Sequence, residues 1–204
     1  VYMSSNNGVS YDVLGFTSSR TFTANNLNCG VTYLFKVSAY RYANNVPMVG
    51  VACDPISKKT GVIAPTGAKA TSINSQKVRI SWNWLREVDG FEVMKSVTSD
   101  GTYTSLGTVP SNILQLENTV ERGGYPYYYK VRAYVNNSDG SRYYSSFTSP
   151  FIGRALPTAP KNLTTTKLWF RTIVVSWEET DTVAGYKVFY RAKGTSSWTI
   201  QTLI

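Results

Sequence analysis

Apolar and polar positions alternate with period two in short runs along the chain, and the runs are rich in β-branched and aromatic residues. Lys77-Val78-Arg79-Ile80-Ser81-Trp82 and Tyr127-Tyr128-Tyr129-Lys130-Val131-Arg132-Ala133-Tyr134 are the plainest cases. Period two places successive side chains on opposite faces, so each run predicts a strand with one face turned to a core. Turn signals separate the runs: Asn7-Gly8, Asp89-Gly90, Asp100-Gly101, Gly123-Gly124, Asp139-Gly140 and Lys193-Gly194. No stretch of about ten residues carries the 3.6-residue stripe of a helix. Many short strands with frequent turns predict an all-β chain built as a sandwich or barrel.

The pattern also repeats. Lys36-Val37-Ser38-Ala39-Tyr40 recurs as Lys130-Val131-Arg132-Ala133-Tyr134, a shift of 94. Val78-Arg79-Ile80-Ser81-Trp82 returns as Ile173-Val174-Val175-Ser176-Trp177, and Gly90-Phe91-Glu92-Val93 as Gly185-Tyr186-Lys187-Val188, both at 95. Leu14-Gly15 returns as Leu106-Gly107 at 92. A period of this length equals one seven-stranded sandwich of about 100 residues.

A strand ending in Ser-Trp, a Gly-aromatic-x-Val strand and a late Tyr-x-aromatic-Lys-Val-x-Ala-Tyr strand together resemble fibronectin type III domains. Leu27-x-x-Gly30-x-x-Tyr33 resembles that family's tyrosine corner, with Tyr33 and Tyr127 as the corner tyrosines; Val120 stands seven residues before Tyr127, which suggests a loop one residue longer. The resemblance implies tandem immunoglobulin-like β-sandwiches of seven strands each.

On that frame residues 1–62 correspond to strands C′, E, F and G of a first copy, with Val1-Tyr2-Met3 left from strand C. Residues 63–156 make one complete copy, with A near Gly67 to Ile73, B at Lys77 to Trp84, C at Gly90 to Lys95, F at Tyr127 to Tyr134 and G near Tyr143 to Ile152. Residues 157–204 hold A, B, C and C′ of a third. The linkers Val62-Ile63-Ala64-Pro65 and Ala155-Leu156-Pro157-Thr158-Ala159-Pro160 are short and proline-marked. Proline fixes φ and restricts its predecessor, so these predict stiff, extended joints and a rod.

Half a sandwich leaves its inner face wet: Phe22, Tyr33, Phe35 and Val37 at one end, Ile173, Val175, Trp177, Tyr186 and Val188 at the other. Burying each such side chain is worth roughly 1.5–3 kcal/mol, so each half forfeits on the order of 10 kcal/mol. The strands missing from the first copy are those present in the third. Two readings stand side by side: head-to-tail pairing with other copies of the chain into a fibre or ring, or a window on a longer chain in which neighbouring domains complete every copy. Val1 opens without an initiator Met or a leader pattern, which favours the look of an excised fragment.

Composition narrows the chemistry. Charged residues are 16% of the 204 and histidine is absent, which removes the commonest general base and most zinc sites. The net charge of +9 favours anionic partners, but the cations are scattered and Lys58-Lys59 is the only adjacent pair, which argues against nucleic acid. No run approaches the about 18 apolar residues of a membrane helix. Glu87 and Asp89, Glu117 and Glu121, and Glu178, Glu179 and Asp181 sit in expected turns without a cleft, so they read as solvated carboxylates and not as a glycosidase pair. Asp100 and Asp139 lack calcium-ligand spacing, and no phosphate loop or nucleophile elbow occurs. The chain reads as non-enzymatic, with no cofactor. Cys29 precedes strand F and Cys53 lies in or near strand G, so a disulfide between them is geometrically open, the alternative being two buried thiols.

The remaining candidate is a binding face. With Tyr127, Tyr129, Val131 and Ala133 inward, Tyr128, Lys130, Arg132 and Tyr134 point outward, with Glu92 and Met94 of strand C beside them. Such a ladder suits sugars or acidic groups on a glycan or surface protein; the alternative is a solvated sheet face. The F–G loops, Tyr42 to Pro47 and Asn136 to Tyr143, are further contact sites, and Asn136-Asn137-Ser138 and Asn162-Leu163-Thr164 fit the glycosylation pattern. The resemblance implies a secreted or cell-surface setting. Two functions follow from these readings, a structural spacer or stalk and an adhesive or glycan-binding module, with a filament of paired half-domains as a third.

Overall fold

The computed structural model of the chain describes residues 1–201; the last three positions of the third unit lie outside the described residues. Every regular element is a strand, and no helix of the described residues is long and apolar enough to cross a membrane.

In the first unit the strands are β1 (Tyr2–Ser4), β2 (Asp12–Val13), β3 (Thr32–Lys36), β4 (Ser38–Ala43), β5 (Val46–Ala52) and β6 (Ile56–Lys59). They form a sheet in the order β2-β1-β3-β6 and a separate β4–β5 hairpin. These correspond to C′, C, F and G, with F and G each broken in two by the irregular pairing between Ser38 and Tyr40. Asn44 and Asn45 close the hairpin at φ 51 and 59, left-handed values that asparagine tolerates. Strand E is a correction: residues 14–31 form no strand. In the central unit the E strand pairs with B, and the described residues place no B strand beside residues 14–31.

The central unit holds β7 (Thr66–Ser72), β8 (Lys77–Asn83), β9 (Gly90–Ser96), β10 (Thr104–Pro110), β11 (Gln115–Thr119), β12 (Tyr127–Asn136), β13 (Arg142–Tyr144) and β14 (Phe151–Gly153). One sheet runs β11-β8-β7 and the other β10-β9-β12, with β13 and β14 both on the far edge of β12. The alternation is visible in what is buried: Val78, Ile80 and Trp82 from β8, Phe91 and Val93 from β9, and Tyr127, Tyr129, Val131 and Ala133 from β12 make one core. The Trp82 and Phe91 rings sit 5.2 Å apart across the two sheets. Burying such residues, at roughly 1.5–3 kcal/mol each, is what holds the sheets face to face. At one side β14 crosses β7 so closely that a methyl on Gly153 would stand 2.6 Å from the Ala70 Cβ.

The third unit comprises β15 (Thr164–Trp169), β16 (Thr172–Ser176), β17 (Val188–Tyr190) and β18 (Thr199–Gln201) in two hairpins, β15–β16 and β17–β18. Trp177 and Tyr186 pack edge to face at 5.2 Å between them.

Candidate functional site

The β12 strand carries the sequence-predicted face. Its register against β9 sets Lys130 opposite Met94, Arg132 opposite Glu92, and Tyr134 opposite Gly90. Tyr128, Lys130, Arg132, Glu92 and Met94 are half-buried on the outward side. Tyr134 departs from expectation: it emerges on that side yet is only 6% exposed. Gly90, directly opposite, has no side chain, and the Tyr134 ring lies into that gap; a methyl on Gly90 would stand 2.5 Å from the Tyr134 hydroxyl. Arg142 covers the other side of the ring at 4.2 Å, and Tyr144 flanks it at 6.0 Å.

Arg132 is also committed. Its Nε donates to Glu92 Oε2 at 2.7 Å, Ser105 Oγ donates to the other carboxylate oxygen at 3.1 Å, and the guanidinium lies 3.6 Å from the Tyr144 ring and 4.5 Å from Phe147. Lys130 Nζ sits 3.9 Å from the Tyr103 ring and 4.4 Å from Phe147. The face is therefore a stack, Tyr103–Lys130–Phe147–Arg132–Tyr144, in which each cation rests between two π-faces. Tyr103, Tyr144 and Phe147 were not among the sequence candidates. The repeat held a signal for Tyr103: Tyr11, 92 residues earlier, receives Lys36 Nζ at 3.9 Å, and Lys36 is the counterpart of Lys130.

Phe147 reaches over β12 because the stretch between β13 and β14 bulges. Here side chains replace the ladder's carbonyls: Ala133 N–H donates to Ser145 Oγ at 2.9 Å and Val131 N–H to Thr148 Oγ1 at 3.0 Å. The first unit uses the same device. Val37, counterpart of Val131, donates its N–H to Cys53 Sγ at 3.3 Å, and Cys53 N–H returns to Val37 O at 2.9 Å. Of the two alternatives left open for the cysteines, neither holds in full: both are free thiols, but only Cys29 is buried and Cys53 is exposed. The hairpin register sets Cys53 beside Val37, eight positions along the chain from Cys29.

The tyrosine corners are local hydrogen bonds. Tyr33 Oη accepts from Asn28 N–H at 3.1 Å and Tyr127 Oη from Arg122 N–H at 3.2 Å, both five residues back. The two corners thus close over the same length, so the longer loop inferred from Val120 is not in the corner itself. Burial pushes the Tyr127 hydroxyl above its ordinary range, and burial likewise raises Tyr129, which donates to Asn118 Oδ1 at 3.1 Å.

Three of the carboxylates considered for chemistry are held by donors from neighbouring strands or loops. Asp89 Oδ2 accepts Asn136 N–H at 2.6 Å, Glu117 takes Arg79 at 2.9 Å, and Glu121 takes Lys95 at 3.0 Å. The Arg79 and Lys95 hydrogen bonds hold Glu117 and Glu121 below the usual carboxylate range.

The joints between units are the second constructed feature. Gly30 and Gly124, 94 residues apart, both lie in the turn before strand F at φ 69 and 74. Each touches the next unit: a methyl at Gly30 would stand 3.0 Å from the Val135 Cβ, and one at Gly124 would stand 2.6 Å from Thr182 Oγ1. At the first joint Lys59 Nζ donates to Asn137 Oδ1 at 2.6 Å and lies 4.4 Å from the Tyr143 ring. At the second, Arg122 pairs with Asp181 at 2.5 Å and Thr182 Oγ1 donates to Gly123 O at 3.3 Å.

No protein-family model matches the chain, and no curated protein matches it. Solved structures do, and they are mostly fibronectin type III domains. A two-domain fibronectin type III segment of chicken tenascin is 18% identical at TM-score 0.45, over 61% of this chain and 65% of that one. A fibronectin type III-like protein from Clostridium thermocellum is 24% identical at TM-score 0.38, over 47% of this chain and 94% of that one. A β-1,2-glucanase from Parabacteroides distasonis is 16% identical at TM-score 0.40, over 48% of this chain; the match spans 13% of the glucanase.

Proposed function

We propose that this chain is a non-catalytic stretch of a tandem array of fibronectin type III-like units, divided at residues 62 and 156, that holds other domains apart as a spacer outside the cell. The observation that carries the reading is the pair of joints. At each, a left-handed glycine before strand F lies so close to the following unit that a side chain there would push a neighbour aside, reinforced by a lysine or arginine contact across the gap. Proline-marked linkers add stiffness. Flexible tethers have no use for such contacts; a spacer does.

The outward face of β12 supports this reading over ligand binding. Its arginine is held by Glu92, its last tyrosine is buried, and Lys130 rests between two rings of the same unit. A glycan would have to displace contacts already made.

Small-angle scattering on the chromatographically isolated monomer tests the spacer. The parent chain gives a narrow distribution of inter-unit distances with a resolved spacing, and Gly30→Ala and Gly124→Ala each broaden it. A parent distribution as broad as a flexible tether's sinks the proposal.

A further inference from the structure

Residues at left-handed φ in this chain are almost all glycine or asparagine, the types that accept it. Among the described residues the non-glycine positions are Asn7, Asn26, Asn44, Asn45 and Asn162, and one other, Thr182 at φ 62. A β-branched residue in that conformation is strained, at a cost in population of about 5- to 30-fold. Such strain persists only where the surroundings impose it.

The surroundings of Thr182 are shared between two units. The flank of its turn belongs to the third unit: Thr180 N–H donates to Tyr186 Oη at 2.7 Å, and Glu178 N–H to Lys161 O at 3.0 Å. Its centre is held by the central unit. Asp181 takes Arg122 at 2.5 Å, and Thr182 Oγ1 lies 2.6 Å from Asp181 O and 3.3 Å from Gly123 O, in the space that Gly124 leaves by lacking a side chain. The ion pair is an open one, with 53% of the Arg122 side chain and 77% of the Asp181 side chain exposed, so its hold is modest and is screened by salt.

The first joint carries no such load. Its left-handed positions, Gly30 and Gly140, are glycines. The turn that meets Lys59 is braced within its own unit: Asn137 N–H donates to Ser141 O at 2.8 Å, Asn137 Nδ2 to Ser141 Oγ at 2.8 Å, and Ser141 N–H to Asp139 Oδ1 at 2.9 Å. Val135 lies against Gly30 beside it, which adds an apolar contact to the polar one.

We propose that the second joint is a hinge loaded in its own backbone, while the first is a fixed splint. Docking of the third unit on Gly123 and Gly124 holds Thr182 left-handed, and release lets the turn relax. The strain therefore opposes docking, and the second joint opens before the first. Salt opens it further by screening Arg122 from Asp181. The proposal rests on the division into units and on the joints that support the spacer reading, and it gives the rod a bend at one defined place.

Spin-label distance measurements on the full chain test it, with Cys53→Ser removing the exposed thiol. Labels on Ser57→Cys and Thr119→Cys span the first joint, and labels on Thr119→Cys and Thr166→Cys span the second, all at exposed positions. In the parent both distances are narrow at low salt, and about 1 M salt broadens the second alone. Thr182→Gly removes the strain, raises the ratio of docked to open second joint by about 5- to 30-fold and keeps that distance narrow at high salt. Thr182→Val keeps the strain and loses the hydroxyl, and Arg122→Ala loses the ion pair; each lowers the ratio, the latter by about two- to fivefold. If Thr182→Gly broadens the second distance as Thr182→Val does, the turn is a contact without stored strain and the proposal falls. A second distance as narrow as the first at every salt concentration, or two distances that broaden together as salt rises, overturns the hinge and leaves the spacer standing. Two distances already broad in the parent at low salt overturn the spacer reading as well.

Discussion

Cys53 in the first unit does the work of Thr148 in the central one: each presents a side-chain acceptor to the backbone N–H of the strand-F valine, Val37 at 3.3 Å and Val131 at 3.0 Å. A bulge in strand G removes the ladder carbonyl at this level, and the side chain takes its place. The thiol is a weak acceptor and the site is exposed, so the hydroxyl version is the stronger of the two.

Thr148→Val therefore destabilises the central unit by about 1 kcal/mol, the usual cost of leaving a backbone N–H without its partner. Cys53→Ala costs less, because water reaches Val37 N–H. Urea denaturation of each variant measures both. A thiol reagent labels one cysteine rapidly in the native chain and a second only after denaturation, since Cys29 is buried and Cys53 is not; a native chain with no reactive thiol contradicts the free-cysteine geometry.

Arg132→Ala removes two stacking contacts and leaves Glu92, with 13% of its side chain exposed, facing an apolar stack without its cation. A loss of roughly 2–4 kcal/mol is expected. Arg132→Lys recovers the charge but not the forked geometry, and falls between. The double variant Arg132→Met with Glu92→Met removes both charges and is less damaged than Arg132→Ala; thermal denaturation ranks the three.

Gly90→Ala forces a methyl against the Tyr134 ring and Val109 O. The expected cost is about 1–3 kcal/mol, as for an overpacked core. Adding Tyr134→Ala relieves part of it, so the double variant is more stable than the sum of the singles. Strict additivity shows that the ring is not what fills the gap.

Stability falls at both pH extremes for separate reasons. Glu121, lowered by the Lys95 hydrogen bond from an ordinary value of 4.5, and Asp139, lowered by Ser141 from 3.8, add stability that is present above those values and is lost as pH drops through the folded ones. Tyr103, Tyr127 and Tyr129 are raised by burial from 10.0, so their contribution is full below pH 10 and is lost as pH climbs past it. Tyr129→Phe flattens the alkaline limb and Glu121→Gln the acid limb, read as the melting temperature against pH. Unchanged slopes in either variant remove that residue from the account.

How far the site was legible depends on which contacts are local. The tyrosine corners were readable in Leu27-x-x-Gly30-x-x-Tyr33 because the hydrogen bond spans only five residues. The expectation of an E strand in the first unit failed because an edge requires a neighbour, and among the described residues no strand pairs with 14–31. Tyr134 was placed on the correct side of β12 and given the wrong environment, since nothing in its own strand announces that Gly90 opposite leaves a gap.

What the sequence determined by itself was the side of the sheet each residue faces and the repeat that carries the sandwich along the chain. Both follow from backbone geometry, in which period two assigns sides and an interval of 92–95 residues assigns equivalent strands. Only the tertiary structure decided what lies over the outward side. Phe147 and Tyr144 come to Lys130 and Arg132 through a bulge whose register is fixed by hydrogen bonds that the Val131 and Ala133 N–H groups of β12 donate to Thr148 and Ser145, contacts made only once strand G has paired along the far edge of β12.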